Sequence, residues 1–112
     1  MITSMLVAAL LAAAPSADPE AGRKTFTACL HKAVDENLDK KTDPTAFATA
    51  AAEACKAQSD DWKTAYVAAD KSYGIKAAES EANFKQDYAD VFDNITSAYK
   101  DYFDSGSRPV RK

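Results

Sequence analysis

CLHKAVDENLDKKTDPTAFATAAAEAC, residues 29–55, decides the fold: the chain's only two cysteines close this stretch, near-symmetrically about one turn. The polar run Asp39-Lys40-Lys41-Thr42-Asp43-Pro44 makes the turn, and apolar residues at helical spacing flank it. Two facing helices joined there bring Cys29 and Cys55 to about the same height. The stretch reads as a helical hairpin stapled by one disulfide.

Working outward, Asp18-Pro19-Glu20 is a helix start, with Asp at the N-cap, Pro at the first helical position and Glu beside the positive end of the dipole. Phe26, Cys29, Leu30, Ala33, Val34 and Leu38 then recur every three or four residues, which predicts a helix over 19–38. The same start signal returns as Asp43-Pro44. From there Phe47, Ala51, Ala54, Cys55, Gln58, Trp62, Ala65, Tyr66, Ala69 and Tyr73 keep one register as far as Gly74. Ser59-Asp60-Asp61 is an alternative N-cap that would split this helix, but the step of seven from Cys55 to Trp62 favours a single long one. Gly74 followed by Ile75 reads as a C′ glycine with its apolar companion.

A third helix is predicted over 75–104, with Ala78, Ala82, Phe84, Tyr88, Val91, Phe92, Ile95, Tyr99 and Tyr102 on its face. No strand pattern competes. The expectation is an all-α domain over 18–107: an antiparallel up-down-up three-helix bundle with one inter-helix disulfide, followed by a basic tail over 108–112.

The helix lengths are unequal, about 20, 30 and 30 residues at 1.5 Å each. The first therefore covers only the lower part of the second, roughly 44–63, and leaves residues 64–84 as a two-helix tip faced by Ala65, Ala69, Ala78 and Ala82. Trp62, Tyr66, Tyr73 and Ile75 fall along that tip or at its base and form the candidate partner surface. The plainer reading is that they finish the core.

Residues 5–17 are uncharged and mostly apolar, and run into Asp18-Pro19-Glu20. That is short of the roughly 20 apolar residues of a membrane span. It suits the core of a secretory signal over 1–17, cleaved after Ser16 or Ala17. The lack of a cysteine directly after the run argues against a lipid-anchored lipoprotein. Export to the periplasm or the extracellular space favours pairing of two cysteines. Bridging about 25 residues stabilises a fold by about 3 kcal/mol in the loop-entropy model. A core poor in branched aliphatics and built from alanines and aromatics needs that help.

The net charge of −3 is mild and mixed in sign, which argues against nucleic acid as a partner. Redox catalysis usually wants a C-x-x-C pair, and none is present. His31, the single histidine, lies two residues after Cys29; helix positions two apart point about 200° from each other, so the two do not share a metal. Haem attachment by C-x-x-C-H is absent, and both methionines fall within residues 1–17. With three glycines there is no phosphate cradle. Asp60-Asp61, Glu79/Glu81 and Asp87/Asp90 read as solvated helix faces, and the sequon Asn94-Ile95-Thr96 as chance. No catalytic residue, metal site or cofactor is expected.

The arrangement of Ala28-Cys29-Leu30, Asp43-Pro44 with Phe47, Ala54-Cys55 and Arg108-Pro109-Val110 resembles a group of small exported bacterial helical proteins with two cysteines. That resemblance implies a fold and a compartment but no activity. In architecture the chain is also loosely similar to periplasmic acid-stress chaperones of the HdeA kind: small, helical, exported and singly stapled. The L-T-x-x-Q motif of Spy-like chaperones is missing. The expected function is non-enzymatic contact with a protein partner or a second copy, of a chaperone-like or envelope-stress kind. The alternative is a small-ligand or lipid carrier gripping its cargo with the row Tyr88, Phe92, Ile95, Tyr99 and Tyr102.

Overall fold

The computed structural model describes residues 18–110; the expected signal peptide and the last two residues of the basic tail, Arg111 and Lys112, lie outside them. The chain is all-helical, with four helices and no strand among the described residues: α1 (Pro19–Asp39), α2 (Pro44–Ala54), α3 (Lys56–Ser72) and α4 (Ala77–Ser105). No described helix is long and apolar enough to cross a membrane.

Both Asp-Pro starts behave as read. The Asp18 carboxylate accepts from the Glu20 N–H at 3.1 Å, and the Asp43 carboxylate from the Thr45 N–H at 3.0 Å. The end of α3 is a Schellman cap around Gly74 (φ 82°), in which the Ile75 N–H donates to the Asp70 carbonyl and the Gly74 N–H to that of Lys71. The end of α1 has the same double bond, Thr42 N–H to the Asn37 carbonyl and Lys41 N–H to that of Leu38, but its left-handed residue is Lys41 (φ 56°).

The expected single helix over 44–73 is instead two, joined at Cys55 (φ −109°, ψ 19°) and not at Ser59-Asp60-Asp61. The ladder runs through the joint, since the Cys55 N–H donates to the Ala51 carbonyl and the Ser59 N–H to that of Cys55. The bend re-aims the chain without breaking it. Below it, Phe47 of α2 stacks flat on Tyr99 of α4 with ring centroids 3.9 Å apart. Above it, Trp62 of α3 lies 5.7 Å from Phe26 of α1 and meets Phe84 of α4 edge-on at 4.8 Å.

Cys29 and Cys55 stand at disulfide distance, with Cα atoms 5.8 Å apart. Phe26, Leu30, Ala33 and Val34 of α1 are buried as their spacing predicts. Gly22 joins them because α1 crosses α3 closely there: a Cβ at Gly22 would lie 3.0 Å from the Cα of Trp62.

Two further expectations are corrected, one about the tip and one about the tail. Ala78 and Ala82 are exposed, and fully buried Ser80 takes the facing position. Ser80 and Phe84 share a helix face, and positions 78 and 82 each lie two residues from one of them, about 200° round. The tail is not loose at its root either. Arg108 bonds the Asp39 carboxylate and donates to the Asp35 carbonyl at 3.4 Å, placing a cation at the negative end of α1.

Candidate functional site

The four residues expected to form one partner surface are divided by the fold. Trp62 is only 2% exposed, so the expectation of an open tryptophan is not met; its ring closes the core between α1 and α4. Tyr66 is half-buried one turn further along α3. Tyr73 is 83% exposed at the α3–α4 turn, and Ile75 is half-buried beside it. The double cap at Gly74 fixes that turn, and so does the Ser80 hydroxyl, which donates to the Asp70 carboxylate at 2.8 Å. Tyr73 is therefore an aromatic held out on a capped turn.

The unequal helix lengths create a second feature. At the start of α1, α3 and α4 continue past it, and the step between them is an open cleft of about 480 Å³. Trp62, Tyr66, Val91 and Pro19 supply its apolar surface, and Asp18, Glu20, Asp87 and Asp90 its carboxylates. Arg23 is the one cationic side chain lining it, and its guanidinium is held by Glu20 through Nε at 3.2 Å and Nη2 at 2.7 Å. That contact holds the Glu20 carboxyl below its ordinary range.

The Tyr66 hydroxyl donates to Asp87 at 2.8 Å. Burial, reinforced by that bond and by the charges of Asp87 and Asp70, pushes its pKa up to about 12. Sequence reasoning placed Asp87 and Asp90 on a solvated face; what it missed is that α1 begins opposite them. The only legible signal was the difference in helix length.

The aromatic row of α4 is largely packed against the protein itself. Tyr99 is fully buried on Phe47, with its hydroxyl donating to the Thr42 carbonyl at 2.5 Å. Tyr88 stacks on Phe26 at 5.2 Å and on Phe92 at 5.5 Å, and burial raises its pKa. Ile95 and Tyr102 are half-buried. His31 is half-buried on α1, and no group of three or more metal-ligating side chains converges among the described residues.

The chain matches no family model, no curated protein and no solved structure in the three comparisons made.

Proposed function

We propose that this is a non-enzymatic exported protein that acts by contact with another protein, of a chaperone-like or envelope-stress kind. Its middle arm is bent at Cys55, within an up-down-up three-helix bundle. The observation that carries the reading is Tyr73, exposed on a turn fixed by two backbone caps and a side-chain clamp. Ordering an aromatic before contact lowers the entropy lost on binding. The disulfide-distance cysteines and the lack of a membrane-spanning helix among the described residues are compatible with export. Tyr66 supports a binding reading over a catalytic one: a hydroxyl with a pKa of about 12 neither gives nor takes a proton readily at neutral pH.

The test is a photo-cross-linking residue at position 73 in the full chain, expressed in its native envelope. An adduct with one protein species at position 73, absent when the residue is moved to exposed Gln86, is the expected result. Equal adducts at both positions, or none, would remove the contact reading. Intact mass without reductant checks export separately: the exported protein should begin at residue 17 or 18 and weigh ~2 Da less than its dithiol.

A further inference from the structure

We infer that the Cys29–Cys55 bridge is made and broken through the sulfur of Cys29, reached from an open cleft by the dithiol of a thiol–disulfide oxidoreductase. The inference concerns the bridge and needs nothing of the contact reading at Tyr73. The two sulfurs have unlike surroundings. Cys55 is fully buried at the joint of α2 and α3, so an outside thiol does not reach it in the folded chain. Cys29 is half-buried and lines a cleft of about 430 Å³ between α1 and that joint. Thr25 and Lys32 of α1 stand on one side of the cleft, and Ala54 and Gln58 on the other. Cys29 Sγ lies 3.8 Å from the carbonyl oxygen of Ala54, an exposed residue. The sulfur therefore sits where the two walls of the cleft meet.

Thiol–disulfide exchange is a displacement at one sulfur, and access decides which sulfur is attacked. The incoming thiolate bonds to Cys29 Sγ, the bond to Cys55 Sγ breaks, and the electron pair leaves on Cys55, which takes a proton from water. The product is a mixed disulfide on Cys29. Cys55 stays beside it, with Cα atoms 5.8 Å apart, and expels a single thiol before a second arrives from solution. Net reduction therefore takes a partner whose second thiol is tethered to the first. That thiol displaces Cys29, the partner becomes a disulfide, and its two electrons reduce the bridge. Oxidation runs the same steps backwards, with buried Cys55 resolving the partner from Cys29. The attacking group is an anion. Lys32 stands one helical turn from Cys29 in the same cleft, and Glu36 a further turn away, so the nearer charge favours the approach. The chain is the substrate of this exchange and not its catalyst, in keeping with its lack of a C-x-x-C pair.

The oxidised full chain is exposed to glutathione without denaturant, quenched with acid and alkylated. Trypsin then separates the two sulfurs, Cys29 in residues 25–32 and Cys55 in residues 42–56. The expected result is a glutathione adduct about tenfold or more in favour of Cys29, falling to within about threefold in concentrated guanidinium chloride. A thioredoxin lacking its second active-site cysteine is the protein-sized probe, and it should be trapped on Cys29 as well. With anionic glutathione and cationic cysteamine offered together, Lys32→Glu should lower the glutathione share of the Cys29 adduct about threefold.

Labelling only in denaturant overturns the inference, because the bridge would then open by unfolding and not through the cleft. Equal labelling of both cysteines in the folded chain, or a preference for Cys55, overturns it too. An unchanged share in Lys32→Glu overturns the cleft as the route. Glutathione on Cys29 without a thioredoxin adduct overturns the protein partner. A position-73 adduct obtained beside any of these leaves the contact reading standing.

Discussion

The two ends of the molecule are closed by different means. At the base, where α1 ends and α2 begins, the stacked pair Phe47–Tyr99 is fully buried and the Tyr99 hydroxyl ties the turn down through Thr42. Arg108 then returns from the end of α4 to the last turn of α1. At the tip only α3 and α4 remain, and the contact holding their turn is polar, Ser80 to Asp70. Large apolar side chains close the end that three segments share. The end with two helices lacks the area for that and keeps its shape by caps and a hydroxyl, leaving Tyr73 outside. The tip is therefore the end available for contact, and it should open first in native-state hydrogen exchange.

Removing what both ends share should have the largest effect. Cys29→Ala/Cys55→Ala releases the loop between α1 and the bend and should cost about 3 kcal/mol by denaturant unfolding. A loss under about 1 kcal/mol would mean that packing alone holds α1 in place. Next comes the crossing midway. Gly22→Ala gains helix propensity of about 1 kcal/mol, yet its Cβ meets the backbone of Trp62 at 3.0 Å. Backbone does not yield as a flexible side chain does, so a net loss of about 1–3 kcal/mol is expected, with a shift in Trp62 emission.

Tip and base can then be weighed one hydrogen bond each. Ser80→Ala removes a bond to a carboxylate and should cost about 1–2 kcal/mol, with faster exchange confined to the tip. Tyr99→Phe keeps the stack on Phe47 and loses only the bond to Thr42, about 1 kcal/mol, with faster exchange confined to the base. If both variants speed exchange at both ends, the two ends are one cooperative unit and the comparison fails.

The tyrosines add a pH dependence with a definite sign. Tyr66, Tyr88 and Tyr99 have raised pKa values, foremost through burial, so the fold favours their neutral forms. Their contribution is complete below the unfolded value of about 10 and is lost as pH rises through the folded values. Stability should hold to about pH 9 and fall between about pH 10 and 12. Tyr66→Phe should make that fall shallower, which a series of denaturant titrations would show.

The features legible in sequence were those with a local cause. Asp18-Pro19 and Asp43-Pro44 announce helix starts because the cap and the fixed φ act within one turn. Gly74-Ile75 announces an end for the same reason, and the spacing from Phe26 to Leu38 gives the buried face of α1. The joint at Cys55 was not legible: Ala50-Ala51-Ala52-Glu53-Ala54 holds no helix breaker, and the bend belongs to where α1 and α4 lie. Gly22 is a close-approach glycine only because Trp62 sits opposite it. For Trp62 the pattern supplied the correct face, but not how completely three helices close around it. The cleft was half legible, since helix lengths imply a step but not which carboxylates line it.

The smallest effect expected is a gain, at the one cap the sequence makes imperfectly. Lys41 and Gly74 hold equivalent positions, each the left-handed residue of a Schellman cap, with the same pair of backbone bonds around them. A side chain in that conformation crowds its own backbone, at a cost of roughly 1 kcal/mol that glycine does not bear. Glycine also has more freedom to lose on folding, which takes back part of the difference. Lys41→Gly should therefore stabilise the protein by about 0.5 kcal/mol and slow exchange at the base, with the tip unchanged. Lys41 also borders the cleft where Arg108 returns, so removing its charge leaves a guanidinium with one fewer cation nearby. Lys41→Ala separates the two effects, because it deletes the charge and keeps the crowding. A gain in the glycine variant alone assigns the effect to the backbone; an equal gain in both assigns it to charge and leaves the two caps energetically alike.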